Sequence, residues 1–354
     1  MSRRSAAQVL AFVLVFGFGA VIAVNGVPFV RFQPGPTVDV LGKQSDGDRI
    51  VQVKGHRTYP TSGELRMLTV RTTRPDTTLS LVQALQAWAD PHDNLYPYEI
   101  IYPEPTSDQE QTEESQQEMV SSQDHAVAAA MLQLGYDVTS PVVAAVESDG
   151  AADGVLKAGD AIDKVGDEVI STRTQVADAV AAVRPGSTVR LAITRKSKKK
   201  VVEVTTQANP DDASKSMIGI SMAAGEKYDF PFSVKVDVPE TIGGPSAGLI
   251  FALSIYDTLT PGKLLDGNDV AGTGEVDSEG TVGPIGGIRQ KIAAAEAEGA
   301  TLFLVPPGNC DEAMVAHTDM RLVRADNVSS AITSIRAYAA DHDATLPQCP
   351  KEPS

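Results

Sequence analysis

From Ala6 to Val24 the chain is apolar almost without interruption, Gln8 being the one strongly polar residue. At about 1.5 Å per helical residue, such a run nearly crosses a hydrocarbon layer of about 30 Å. The pattern predicts a membrane-spanning helix within residues 1–25. The competing reading is a cleaved secretory signal, whose apolar core is usually about 7–15 residues followed by a small-residue cleavage site. This run is longer, and its exit at Val24-Asn25-Gly26-Val27-Pro28-Phe29 is a poor cleavage site, so an uncleaved anchor is favoured. Either reading exports the rest of the chain. Arg3 and Arg4 before the run are balanced by Arg31 and Lys43 after it, so flanking charge hardly sets the orientation. The short head and long tail place the bulk outside the cytoplasm.

Residues 26–75 read as β structure, with the apolar stretch from Val27 to Gly42 broken at Pro34, Gly35 and Pro36. Glu64 to Thr72 alternates as a strand. Residues 80–90 have helical spacing, with Leu81, Ala84, Leu85 and Trp88 on one face. The acidic, polar stretch from Pro103 to Glu118 reads as a surface loop, and 118–136 as the amphipathic helix that follows it, ending near Gly135. Residues 137–206 then run strand, loop, strand, helix (172–183) and hairpin (187–195 with 199–207). After Pro210, strands alternate with helices: 232–239, a Gly-rich turn into an apolar helix at 241–260, strand and turn at 269–287, a helix at 288–300, a buried strand from Thr301, and a last helix from Val328. Such alternation predicts an α/β layer architecture.

Composition narrows the chemistry. Length 354 is too great for one ordinary core, and 42% hydrophobic with 21% charged residues suits two or three folded domains. A net charge of −16 gives no field that attracts nucleic acid. The basic run Arg195 to Lys200 lies between two strands without aromatic partners and reads as a solvated hairpin tip. No phosphate-cradling loop, zinc-binding pair or His-Glu-x-x-His occurs, so no cofactor or metal is expected and activity should need no ATP. The two cysteines, Cys310 and Cys349, are candidates for a disulfide in an exported chain.

Two segments carry candidate catalysis. In Gly244-Pro245-Ser246-Ala247-Gly248 a serine opens a helix beside free backbone N–H groups, and Gly244, Ser246 and Ala247 are the candidate oxyanion donors. A Gly-x-Ser-x-Gly match alone is ambiguous, since a short Gly/Ser turn capping a helix looks the same. In Gly283-Pro284-Ile285-Gly286-Gly287-Ile288-Arg289-Gln290-Lys291 a lysine sits in the first turn of an Ala-rich helix between apolar neighbours. Burial there lowers a lysine pKa, and a neutral amine can take a serine proton. The bland reading is a surface lysine.

Together with Gly272-Thr273-Gly274-Glu275, these segments resemble, in order, the proteolytic domain of Lon-type proteases. The resemblance implies Ser246 as nucleophile, Lys291 as general base and Thr273 as the hydroxyl that orients the lysine. Gly243 stands where Lon-type enzymes usually carry Asp, so no acidic residue is carried over from that loop. Ala151 to Asp160 is similar to the PDZ signature, which implies a peptide-binding groove. One N-terminal membrane helix, a PDZ unit and a Lon-like domain without an AAA+ motor resemble the YlbL-like membrane proteases. That implies a single-pass, extracytoplasmic serine endopeptidase acting on protein or peptide substrates. Lon-type domains also form rings, but nothing in the sequence sets a number for a homo-oligomer.

The expected layout is an anchor at 1–25, a discontinuous Lon-like domain at 26–135 plus 209–340, a PDZ domain inserted at 136–208, and a tail at 341–354. Two other readings stand. One is an α/β-hydrolase esterase using Ser246 and His317 with Asp277 or Asp311. The other is a non-catalytic PDZ scaffold. Neither the esterase's His-Gly-Gly-Gly segment nor an uninterrupted hydrolase domain is present.

Overall fold

The computed structural model describes the chain except residues 1–2, 25, 45–46, 76, 104–106, 137–140, 149, 171–172, 196–197, 211, 223–231, 240 and 351–354. Asn25 of the apolar run's exit, Lys196 and Ser197 of the basic run, and the end of the tail lie outside the described residues.

The main sheet has six strands: β1 (Phe29–Asp39), β2 (Glu64–Thr72), β3 (Asn94–Pro97), β4 (Asp269–Gly272), β5 (Leu302–Val305) and β6 (Arg321–Arg324). Their spatial order is β6-β5-β4-β2-β1-β3. Strands β6, β5, β4 and β2 are parallel; β1 and β3 close the edge antiparallel. The longer helices are α1 (Arg3–Val24), α2 (Leu81–Ala89), α3 (Asp108–Gln133), α4 (Arg173–Ala181), α5 (Gly248–Leu259), α6 (Ile288–Ala297) and α7 (Val328–Ala340).

Strand residues alternate between two cores. Val270, Leu302 and Leu304 face α3, α5 and α7, while Ala271, Phe303 and Val305 face α6. Every residue of α5 is buried, Ser254, Asp257 and Thr258 among its apolar side chains. Pairing of β2 with β4, Leu65 opposite Val270, joins the early chain to the late chain in one sheet. Met119, Ala126 and Met131 of α3 share a core with Leu249, Phe251 and Leu253 of α5. Residues 209–340 made without 26–208 should therefore stay unfolded, because β4 loses its β2 neighbour and α5 its α3 cover. A cooperative thermal melt of that fragment would contradict this.

The chain between α3 and residue 222 builds a separate core from Val143, Ile162, Leu191, Ile193 and Val204, with α4 packed over it. Its four-stranded sheet contains the expected hairpin, Thr188–Arg195 with Lys198–Thr205. Arg195 is not part of a solvated tip. It turns inward, donating from Nε to buried Asp160 Oδ1 at 2.6 Å and from Nη2 to Val155 O at 2.8 Å. That pair lowers the Asp160 pKa against the opposing effect of burial, which is the largest single influence. The acid of the PDZ-like signature thus pins the loop to the hairpin.

Other expectations need correction. The acidic stretch is helical from Asp108, not a loop. Ser107 Oγ accepts the Glu110 N–H at 3.3 Å, and the Glu110 carboxylate accepts the Ser107 N–H at 2.9 Å. This capping box and the acids of the first turn suit the positive end of a helix. Strand β1 is not broken at Pro34–Pro36; a register shift there absorbs the prolines. Residues 233–236 do not join the main sheet but pair with Val51–Lys54 in a two-stranded ribbon. In α2 the buried face is Ala84 and Ala87, and Leu85 and Trp88 are exposed. Among the described residues no helix is long and apolar enough to cross a membrane. The spanning segment expected over Ala6–Val24 is therefore not supported; the side chains of part of that run lie outside the described set. Among those of α1 that are described, Val9, Leu10, Phe12, Val13, Leu14 and Phe16 are exposed.

Candidate active site

Three elements converge beyond the carboxyl end of β4, where parallel α/β sheets usually place their chemistry. Helix α5 presents Ser246 just before its first turn, β4 runs out into Thr273, and α6 presents Lys291. Lys291 Nζ lies 2.7 Å from Ser246 Oγ and 3.0 Å from Thr273 Oγ1. Thr273 donates its own hydroxyl to the Ser246 carbonyl at 2.9 Å, so its oxygen is free to accept from Lys291. One lysine N–H is thereby committed to Thr273, and the nitrogen lone pair of the neutral amine is left for the serine proton.

Lys291 is 3% exposed. Burial pushes its pKa down to about 7, opposed by the Glu275 carboxylate. Partial burial raises the Glu275 pKa, and the Lys291 ammonium opposes that rise. The site thus holds an amine that is substantially neutral at ordinary pH.

The helix carrying Lys291 is fixed at its start. Gly287 has φ +69°, and a Cβ there would lie 2.8 Å from Val70 Cγ2, so only glycine fits. Asn309 clamps the preceding loop, accepting the Ile285 N–H at 2.9 Å and donating to Ile285 O at 2.8 Å. Gln290 donates to His92 O at 3.1 Å. Helix α3 holds the serine side: Gly244 N–H donates to Ser115 O at 2.8 Å, and Ser122 Oγ to Pro245 O at 2.9 Å.

A cavity of about 490 Å³ opens over Ser246 and Lys291, with Met67, Leu68, Met119, Ile242 and Ile285 among its lining residues. Ser246, Ala247 and Lys291 all line it, and Thr273 stands behind the lysine. Gly244 does not serve as the expected oxyanion donor, because its N–H is taken by Ser115. The N–H groups of Ser246 and Ala247 find no acceptor among the described residues. His317 is exposed and makes no hydrogen bond to Ser246, while Asp277 caps a turn through the N–H groups of Glu279 and Thr281. Asp311 is exposed in the short helix Cys310–Met314. The esterase constellation is therefore not assembled. Cys310 and Cys349 are bonded, with Cα atoms 5.2 Å apart.

Ser115, Ser122 and Asn309 are not singled out in the sequence, and Glu275 stands there only as part of the Gly272–Glu275 segment, without a role. For the α3 residues the signal was the small-residue spacing in an otherwise polar helix. Gly243 also receives an explanation: a Cβ there would lie 2.7 Å from Ser115 Cβ, so the close approach of α3 excludes an acid at that position.

Residues 112–206 match the family model of the PDZ domain, and residues 188–333 match that of the Lon protease (S16) C-terminal proteolytic domain. The two matches overlap over the hairpin that the structure places in the middle unit's sheet. The chain is 41% identical over 100 residues to Lon protease 2 of Herpetosiphon aurantiacus, covering 27% of this chain and 12% of that one. It is 32% identical over 150 residues to Lon protease 1 of Myxococcus xanthus, covering 41% and 17%. The chain thus spans less than a fifth of the length of these curated relatives. Among solved structures, the PDZ domain of an SdrC-like protein from Listeria monocytogenes aligns with 24% identity and a TM-score of 0.23, covering 25% of this chain and 90% of that one. The chain is a mixed α/β protein that carries a PDZ domain and a proteolytic domain of the Lon type.

Proposed function

We propose that the chain is an ATP-independent serine endopeptidase working through Ser246 and Lys291. The observation that carries this reading is the 2.7 Å approach to the serine hydroxyl of a buried lysine whose pKa is pushed down to about 7. The neutral amine takes the Ser246 proton as Oγ attacks the peptide carbonyl. The Ser246 and Ala247 N–H groups, at the start of α5, receive the developing oxyanion. Lys291, now charged, returns the proton to the leaving amine. Thr273 keeps the ammonium on axis throughout, and Glu275 stabilises its charge. Water then attacks the acyl-enzyme by the same route.

The apolar part of the cavity's lining, Met67, Leu68, Met119, Ile242 and Ile285, would take an apolar substrate residue beside the scissile bond. A second groove of about 250 Å³ lies between α4 and the strand Ile220–Met222, lined by Val176, Val180, Met217 and Ile220. An extended peptide adding to that strand's edge would be presented to the protease. Gln175 of α4 donates to Glu279 at 3.3 Å, and Glu279 lies on the turn that follows Glu275. The proteolytic domain is read as discontinuous, 26–135 plus 209–340, with the PDZ unit at 136–208 tethered at both ends. An uncleaved anchor over Ala6–Val24 rests on the apolar sequence alone, and the disulfide suits an oxidising, extracytoplasmic setting. Fractionation of cells expressing the full chain tests this: recovery in the soluble fraction would contradict the anchor.

Because the base must be neutral, kcat/KM on a short fluorogenic peptide should rise about tenfold per pH unit below a midpoint near 7 and level off above it. A profile flat from pH 5 to pH 9 would contradict a lysine base.

A further inference from the structure

Helix α3 holds the nucleophile loop at the two residues that precede Ser246 without entering the reaction. Ser115 O accepts the Gly244 N–H at 2.8 Å. Ser122, buried to 3% exposure, donates its hydroxyl to Pro245 O at 2.9 Å. The second bond bears on the chemistry because of amide planarity. In a trans peptide the C=O and N–H of one unit point in opposite directions, and the chain has no cis bonds among its described residues. The carbonyl of Pro245 and the N–H of Ser246 belong to the same unit. Holding that carbonyl toward α3 fixes the direction of the Ser246 N–H and turns it away from Ser122. A hydrogen bond to the carbonyl also polarises the unit and strengthens its N–H as a donor. The only other donor to Pro245 O in this turn is the Gly248 N–H, at a long 3.4 Å.

We infer that Ser122 is a positioning residue that aims and polarises the Ser246 N–H as an oxyanion donor. This rests on the protease reading above. Its effect should fall on transition-state binding and not on ground-state binding, since Ser122 touches neither the substrate cavity nor Lys291. Full loss of an oxyanion donor lowers kcat about 10²–10³-fold. Loosening one without removing it should lower kcat about tenfold.

The test uses the full chain, a fluorogenic peptide, a peptidyl boronate that forms a tetrahedral adduct on serine, and the cleaved acid product of the same peptide. For Ser122→Ala we expect kcat down about tenfold, KM within about twofold, boronate affinity down by the same factor as kcat, and product affinity and the pH midpoint unchanged. Ser122→Cys, close in shape and a weak donor, should fall between, and it keeps the question answerable if the alanine variant fails to fold. Equal boronate affinity in wild type and both folded variants would overturn the inference while leaving the protease reading intact. So would parallel losses of boronate and product affinity, which would mark a purely structural role. Failure of the wild type to capture boronate or cleave peptide would overturn the protease reading and this inference with it.

Discussion

Lys291→Met should abolish peptide cleavage and at the same time make the protein more stable. The first half follows from geometry: no other basic group is hydrogen-bonded to Ser246 Oγ among the described residues, and without a base the hydroxyl is a poor nucleophile. A loss of at least about 10³-fold is expected, comparable to removing one member of a catalytic unit that acts in concert. Ser246→Ala should match it, and His317→Ala should leave activity unchanged. The second half follows from the same burial. A lysine with a folded pKa near 7 and an ordinary value of 10.5 binds fewer protons folded than unfolded between those two pH values. Stability attributable to this group therefore rises with pH across that window, and at pH 7 most of its penalty is still in force, roughly 4 kcal/mol at 1.36 kcal/mol per unit. Methionine has similar length and no charge to desolvate. It forfeits two hydrogen bonds worth about 1 kcal/mol each. The net gain is about 2 kcal/mol at pH 7, shrinking toward pH 10, read as the shift in a denaturant midpoint. A destabilised Lys291→Met at pH 7 would mean that the lysine is held charged, and the proposed base would be lost.

Removing the Cys310–Cys349 bond should be the most destabilising change away from the active site. The bond joins positions 39 residues apart. In the chain-entropy model a loop of that length contributes about 4 kcal/mol. Other contacts keep the tail in place: Leu346 and Cys349 are buried, and Arg324 N–H donates to Pro347 O at 3.0 Å. Reduction should therefore leave the native fold populated but lower the melting temperature by about 10 °C, at roughly 2–4 °C per kcal/mol for a domain of this size. Asn309, the clamp on Ile285, precedes Cys310, so peptide cleavage should also become heat-sensitive on reduction. An identical melt with and without reductant would show that the bond contributes nothing in solution.

Much of the site was legible because its chemistry is local in sequence. Gly243 to Gly248 and Gly283 to Lys291 each carry a turn, a helix start and the reacting residue within one short segment. What the sequence does not display is the helix that braces the first of them. Helix α3 reads as an acidic loop followed by a short amphipathic helix when hydrophobicity is the only guide, because Asp108 to Glu118 has no apolar stripe. The Ser107–Glu110 capping box was readable as a helix start and outranks that absence. The roles of Ser115 and Ser122 depend on which helix packs against α5, and that is a long-range fact. Gly244 failed as an oxyanion donor for the same reason: the carbonyl that occupies it lies far away in sequence. Arg195 shows the limit of reading charge runs, since one member of a basic cluster can turn inward to a buried aspartate when the fold brings one within reach. The face of α2 was misread because two alanines, not Leu85 and Trp88, meet the rest of the fold.

The most direct test of the Ser246–Lys291 account is covalent trapping. The full chain would be treated with a peptidyl phosphonate that reacts only with an activated serine, and the adduct located by mass spectrometry of the digested protein. The account predicts one adduct, on the peptide containing Ser246, forming faster as pH passes through about 7 and absent in a Lys291→Met protein whose denaturant transition shows it folded. Modification of a different serine, or labelling of Ser246 at an undiminished rate in Lys291→Met, would contradict it.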